Sequence, residues 1–419
     1  MTQEEKKLSE QAIEFFKKKD YDKSKSLYEE ILKTNPNVSF IYGNLGVIFK
    51  IKGDINRAIK CYIEAIKLDP KNIPIYNNLA NAFKEIKNYK MALQVYADIL
   101  KINPNDFNTF NNIGIIFELI GDNNKAIEAY KQAVRINPNH AKSINNIGVV
   151  LYKQKKYKES AQIFEIALQV DENYFEVYSN KGAAYNKAKE YDKAIESLEM
   201  AILKMPNHGG AYTNLGNVYN KLHDYEKASK LHEKSIELEP NGSNAYSNLG
   251  TSYKYLGLSS KAISSYKKAI ELDPNFVNAH FDLATMYLAM EDFENGWKEY
   301  EWRFKKEEMI PHIIRHKDIF SKPLFTGAED IKGKILLLHS EQGYGDSIQF
   351  IRFLPQIKEK FGCKIAVKCR EGLKELFQTM PEIDVIVDRS EATPEFDYQL
   401  SIMSMPFVLG MKSINDLPK

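Results

Sequence analysis

Seven asparagines stand 34 residues apart, at Asn44, Asn78, Asn112, Asn146, Asn180, Asn214 and Asn248, and Asp282 takes the eighth place. Each primary amide carries two N–H donors and an acceptor oxygen. A column of them along one face can pair with the backbone of an extended peptide, whatever its side chains. A second set of chemically capable residues lies in the segment EQGYGDS over 341–347. Gly343 and Gly345 let the backbone approach a ligand closely, and the helix expected after them presents N–H groups that favour an anion. His339, Glu341 and Gln342 flank the same loop. His339 reads either as a packed residue at a strand end or as a catalytic group. Gln342 reads either as part of the loop structure or as a contact to a sugar. Asp346, with Gln349 three residues on, fits a helix-capping pattern; such hydrogen bonds keep a carboxylate ionised and weaken it as a base.

The elements that position the asparagines follow the same 34-residue period. Pro36, Pro70, Pro104, Pro138, Pro206, Pro240 and Pro274 share one phase, broken only at Glu172. Gly46, Ala80, Gly114, Gly148, Gly182, Gly216, Gly250 and Ala284 share another. Within 39–72, Tyr42, Leu45, Gly46 and Phe49 form one stripe at helical spacing and Ala58, Tyr62 and Ala65 form a second. Gly53 suits the left-handed turn between them, and Asp69–Pro70 closes the unit because proline disfavours helix in the residue before it. This pattern is identified as the tetratricopeptide repeat, a helix–turn–helix unit that stacks into a solenoid. The resemblance implies a right-handed superhelix whose first helices line a concave groove for a protein or peptide partner. It also resembles the asparagine ladder in the superhelix of the eukaryotic O-linked N-acetylglucosamine transferase. Asparagine is common at this position in tetratricopeptide repeats of many functions, so the column reads as a peptide ladder or as a feature of the repeat itself. The expectation is eight regular repeats and a degenerate ninth over 1–306, in which Gly296, Tyr300 and Trp302 mark a unit that caps the stack or docks on another domain.

Composition narrows the partner. Fifty-eight basic residues face 56 acidic ones, for a net charge of +2. That balance lacks the basic stripe that nucleic acid requires. No apolar run reaches the length of a membrane span, and MTQEEKKLSE has no secretory pattern. Cys61, Cys363 and Cys369 are too scattered for a disulfide framework or a metal cage, so neither metal nor cofactor is expected. These features suggest a cytoplasmic protein, where thiols stay reduced.

The period stops near residue 306. Residues 307–333, with Pro311, Pro323, Gly327 and Gly333, read as a linker. Over 334–419 the run Lys334-ILLLH-Ser340 is a buried strand, followed by an amphipathic stretch over 348–361, a strand at 364–370, a helix over 373–380 and a strand at 384–388. Strand–helix alternation implies a parallel sheet, here part of a Rossmann-like α/β domain. The segments GWKEYEWR at 296–303, LLLHSEQGYGDSIQFIRFLP at 336–355 and FDYQLSIMSMP at 396–406 resemble a bacterial family. Its members join tetratricopeptide repeats to a GT-B glycosyltransferase module related to O-linked N-acetylglucosamine transferases and heptosyltransferases. By that resemblance Asp346 is the general base that deprotonates an acceptor hydroxyl, a role compatible with a cap. His339, Glu341, Gln342, Gly343 and Gly345 then edge the acceptor or sugar site. The family's second Rossmann-like half, which supplies most of the nucleotide-sugar site, is not found in this sequence. Two functions follow: an interaction scaffold whose groove binds an extended partner, or glycosyl transfer in which the repeats select the acceptor and a separate domain brings the donor.

Overall fold

The computed structural model describes residues 1–306, 317–341 and 343–418. Pro311, in the expected linker, and Gln342, in the expected sugar loop, lie outside the described residues. The chain divides into two compact units, Met1–Pro206 and Asn207–Lys419.

The first unit is six helical hairpins, from Gln3–Lys17 with Tyr21–Thr34 to Glu176–Lys187 with Tyr191–Lys204. Local chemistry marks several of the helix boundaries. Asp54, Asn88 and Asp122 cap second helices by accepting backbone N–H bonds from Arg57, Met91 and Lys125. Gly53 and Gly121 take the left-handed turn at φ +80° and +87°. The two helices of a hairpin meet where a small residue faces a ring. A Cβ placed on Gly46 would lie 2.4 Å from the Tyr62 ring, and one on Gly114 would lie 2.5 Å from Tyr130. The rings fill this space and are themselves buried, so the glycine phase and the aromatic phase are two sides of one contact.

The second unit holds three more hairpins, Gly209–Lys221 with Tyr225–Leu238, Ser243–Tyr255 with Ser259–Leu272, and Val277–Ala289 with Phe293–Tyr300. It also holds a four-stranded sheet, β1 (Ile335–His339), β2 (Lys364–Cys369), β3 (Val385–Asp388) and β4 (Tyr398–Ser401). All pairings are parallel and the order is β3-β2-β1-β4. β1 is apolar from Ile335 to Leu338, and Leu336 to His339 are buried. The ninth hairpin does not stand apart from the sheet. Ala284 and Tyr300 share one core with Leu336, Leu338, Val367 and Leu400, and Trp297 packs edge-on against Phe350. That shared core explains why the ninth hairpin belongs to the same compact unit as the sheet.

Two expectations change in detail. Residues 317–333 are integrated into the α/β body: Phe325 and Ile331 are buried in its core, and Leu324 pairs with Gln399 beside β4. Their apolar side chains anchor a stretch whose prolines and glycines alone suggested a linker. The single amphipathic stretch of 348–361 is two helices, Tyr344–Ile351 and Leu354–Phe361. Pro355 sits in the first turn of the second, where its missing N–H costs nothing.

Candidate functional sites

All seven ladder asparagines lie on the first helices of their hairpins and are half-buried. In the first unit, Asn44 Nδ2 donates to the Tyr28 hydroxyl at 3.0 Å. Asn146 Nδ2 donates to Asn111 Oδ1 at 3.0 Å and Asn180 Nδ2 to Asn145 Oδ1 at 3.2 Å. Each of these bonds uses one of the two amide N–H groups. Asn111 and Asn145 are buried, and Asn111 also accepts from Ser143 at 2.9 Å. Of the residues that precede the ladder positions, Asn111, Asn145, Ser179 and Ser247 are buried. In the second unit, Asn214 and Asn248 line one cavity of about 470 Å³ with Thr213, Asn217, Glu239 and Asn244. Asp282, in the eighth place, has its carboxyl pKa raised by burial, which Lys254 and Lys306 partly offset.

The loop after β1 resolves into two groups with different surroundings. His339 is buried, its Nε2 3.0 Å from Gln399 Oε1 on the neighbouring β4. Glu341 also points inward. Its Oε1 accepts from Arg303 Nε at 3.0 Å and Nη2 at 2.6 Å, and from the Ser401 hydroxyl. Arg303 further donates to Ser404 Oγ and Glu301. Its guanidinium lies 4.7 Å from the Tyr300 ring centre and 4.1 Å from that of Phe304. Residues from the ninth repeat, the β1 loop and the end of β4 thus converge in one buried polar cluster. The strand order reverses between β1 and β4, and open parallel sheets bind ligands at that point, beyond the carboxyl ends. Here Arg303 occupies it.

Gly343, Gly345 and Asp346 remain nearer the surface. Asp346 Oδ2 accepts the Gly343 N–H at 3.1 Å, closing the first turn of Tyr344–Ile351. A Cβ on Gly345 would meet nothing within 4 Å, so the space above this turn is open.

Arg303, Ser401 and Ser404 were not singled out as functional in the sequence, although all three lie in the segments 296–303 and 396–406 that carried the resemblance. His232 was also missed. It falls 34 residues before Tyr266 and takes the same place, with its ring against Gly216. Burial pulls its pKa down to about 4. Among the described residues no cluster of His, Cys, Asp or Glu could hold a metal ion, and no helix is long and apolar enough to cross a membrane.

Comparison with known proteins assigns the repeats. Models described as TPR repeat or tetratricopeptide repeat match residues 46–87, 73–106, 119–155, 174–238, 207–275 and 265–299. Together they cover more than half of the chain. Protein FlbA of Caulobacter vibrioides (strain ATCC 19089 / CIP 103742 / CB 15) is 32% identical over 111 residues, which are 25% of this chain. The chain spans 17% of the length of that relative. A tetratricopeptide repeat protein from Parabacteroides merdae ATCC 43184 aligns at TM-score 0.48 and 19% identity, over 60% of this chain and 99% of its own. The APC/C hetero-tetramer Cut9–Hcn1 aligns at TM-score 0.50 and 14% identity, over 71% of this chain and 58% of that one. At that identity the likeness shows the fold alone.

Proposed function

For a chain that is a tetratricopeptide-repeat protein, we propose that the asparagine-bearing face binds an extended segment of a protein partner through the segment's backbone. The observation that carries this reading is the cavity lined by Asn214 and Asn248. It is concave and lined by amides, hydroxyls and the Glu239 carboxylate, with Asn214 and Asn248 on first helices. Amides of this kind match peptide N–H and C=O groups in either direction. Stacked repeats offer extended concave surfaces suited to such a partner. The test is fluorescence anisotropy with labelled, unstructured peptides selected on an array probed with the full chain. Asn214→Ala with Asn248→Ala should weaken the best binder roughly tenfold, from the loss of two hydrogen-bonding side chains. Unchanged affinity would remove this face from the account.

The second reading is glycosyl transfer to a protein or glycan acceptor, with the donor held by a further domain. It is favoured by the β3-β2-β1-β4 parallel order, the glycine loop at the carboxyl end of β1 and the open space over Gly345. In this reading Asp346 is the base. Its discriminating test is transfer of a radiolabelled sugar by the full-length protein, present with wild-type Asp346 and lost in Asp346→Asn.

A further inference from the structure

The turn between the two helices of each hairpin recurs at one phase of the 34-residue period. In Met1–Pro206 these turns are residues 17–23, 51–57, 85–91, 119–125, 153–159 and 187–193. Together they hold 16 basic and eight acidic residues, whereas the rest of that unit holds 15 and 18. The near-neutral charge of the whole chain therefore conceals a basic band. Ion pairs show that the turns form a row. Lys52 reaches Asp22 of the preceding turn, and Lys50, beside the second turn, reaches Glu85 of the third. Lys153 reaches Glu118 beside the fourth, and Lys158 reaches Glu190 of the sixth. Exposed pairs of this kind are weak, and eight carboxylates cannot neutralise 16 cations.

The fold does not demand lysine here. One residue in each turn takes the left-handed conformation, with φ from 58° to 87°. Gly53 and Gly121 fill two of these places in the first unit, and Lys19, Lys87, Lys155 and Lys189 fill the other four. In the second unit the same place holds His223, Gly257 and Glu291. A side chain at this φ strains the backbone, so four positions that suit glycine carry a cation instead. Lys19, Lys87 and Lys189 are exposed and, among the described residues, form no ion pair. The same row carries apolar side chains: Ile51, Ile86, Leu119 and Ile120 are 43–53% exposed.

We propose that this edge of the first unit docks on a membrane surface rich in anionic lipid. Lysine bears a compact charge on a long apolar stem. It can stay at the headgroups while apolar neighbours enter the boundary with the acyl chains. Each lysine held there adds attraction to an anionic leaflet. Arg57 is the one arginine among the 16 cations. A nucleic-acid backbone favours planar arginine forks and gives exposed isoleucines no apolar surroundings; a lipid surface accommodates both residue types. The assignment rests on neither reading above.

The test is co-sedimentation of the full chain with vesicles of phosphatidylcholine, alone or with about one third phosphatidylserine. Binding is expected to the anionic vesicles only and should fall with added salt. Lys19→Gly, Lys87→Gly and Lys189→Gly, combined, remove three charges at positions where glycine is at ease, so the melting temperature should change little. Vesicle binding by that variant should weaken about tenfold or more. Ile86→Gln with Leu119→Gln should also weaken it, with the charge intact. Equal binding to neutral vesicles, sedimentation with neither vesicle, or unchanged binding by the triple variant would each overturn the assignment. Duplex DNA or polyglutamate bound more tightly than the anionic vesicles would overturn it in favour of a soluble polyanion.

Discussion

Arg303 Nη2 and Glu341 Oε1 lie 2.6 Å apart with side chains 2% and 0% exposed, joining the last repeat to the loop after β1. Such a buried pair stabilises little relative to an apolar replacement, but removing one partner strands a charge. Glu341 Oε2 already has no partner among the described residues, so the carboxylate depends on Arg303. The arrangement reads as a clasp that fixes the ninth repeat against the sheet.

Arg303→Met should cost about 3–5 kcal/mol in the second unit, and adding Glu341→Met should return much of that loss. The chain's two tryptophans, Trp297 and Trp302, lie beside the clasp. Urea unfolding followed by their fluorescence therefore reads the effect directly. A single variant within about 1 kcal/mol of wild type would show that the charge pair is dispensable.

His232 makes stability depend on pH. Its folded pKa is about 4, below the unfolded value of about 6.5. The unfolded chain therefore binds more protons between these values. Stability is full above pH of about 6.5 and falls as pH drops towards 4, by roughly 3 kcal/mol in all. His232→Phe, which copies Phe164 of an earlier repeat, should flatten this dependence. Melting temperatures from pH 4 to 7 would check it; equal slopes for the two proteins would rule out His232 as the cause.

Asp346 can be tested as a cap separately from any catalytic role. Asp346→Ala should expose the Gly343 N–H and destabilise the first turn of Tyr344–Ile351 by about 1 kcal/mol. Asp346→Asn keeps an acceptor oxygen and should leave the helix nearly unchanged. Hydrogen exchange over 343–351 separates the two, and identical exchange in both variants would deny the cap.

What could be read from the sequence depended on how local the contact is. The hairpins were legible because Gly46 and Tyr62, or Gly114 and Tyr130, meet 16 residues apart and recur every 34. His232 was legible by the same arithmetic, yet its chemistry differs from that of the rings around it, and only burial reveals the consequence. The strands β1, β2 and β3 announced themselves as short apolar runs; β4 did not, since Tyr398, Gln399 and Ser401 dilute its pattern. Arg303 was opaque for a different reason. Its partners Glu341 and Ser404 lie 38 and 101 residues away, and a charged residue among aromatics looks exposed until the sheet covers it.

The measurement that bears most directly on the scaffold reading uses the peptide as the variant. A peptide that binds the full chain is resynthesised with N-methyl groups on alternate backbone amides, and in parallel with its side chains changed to alanine. Pairing through Asn112, Asn146 and Asn180 predicts that N-methylation weakens binding about tenfold or more, while side-chain truncation has a small effect. It further predicts that changing those three asparagines to alanine removes most of the penalty for methylation. The opposite result, with affinity following the side chains and indifferent to backbone methylation, would contradict an asparagine ladder.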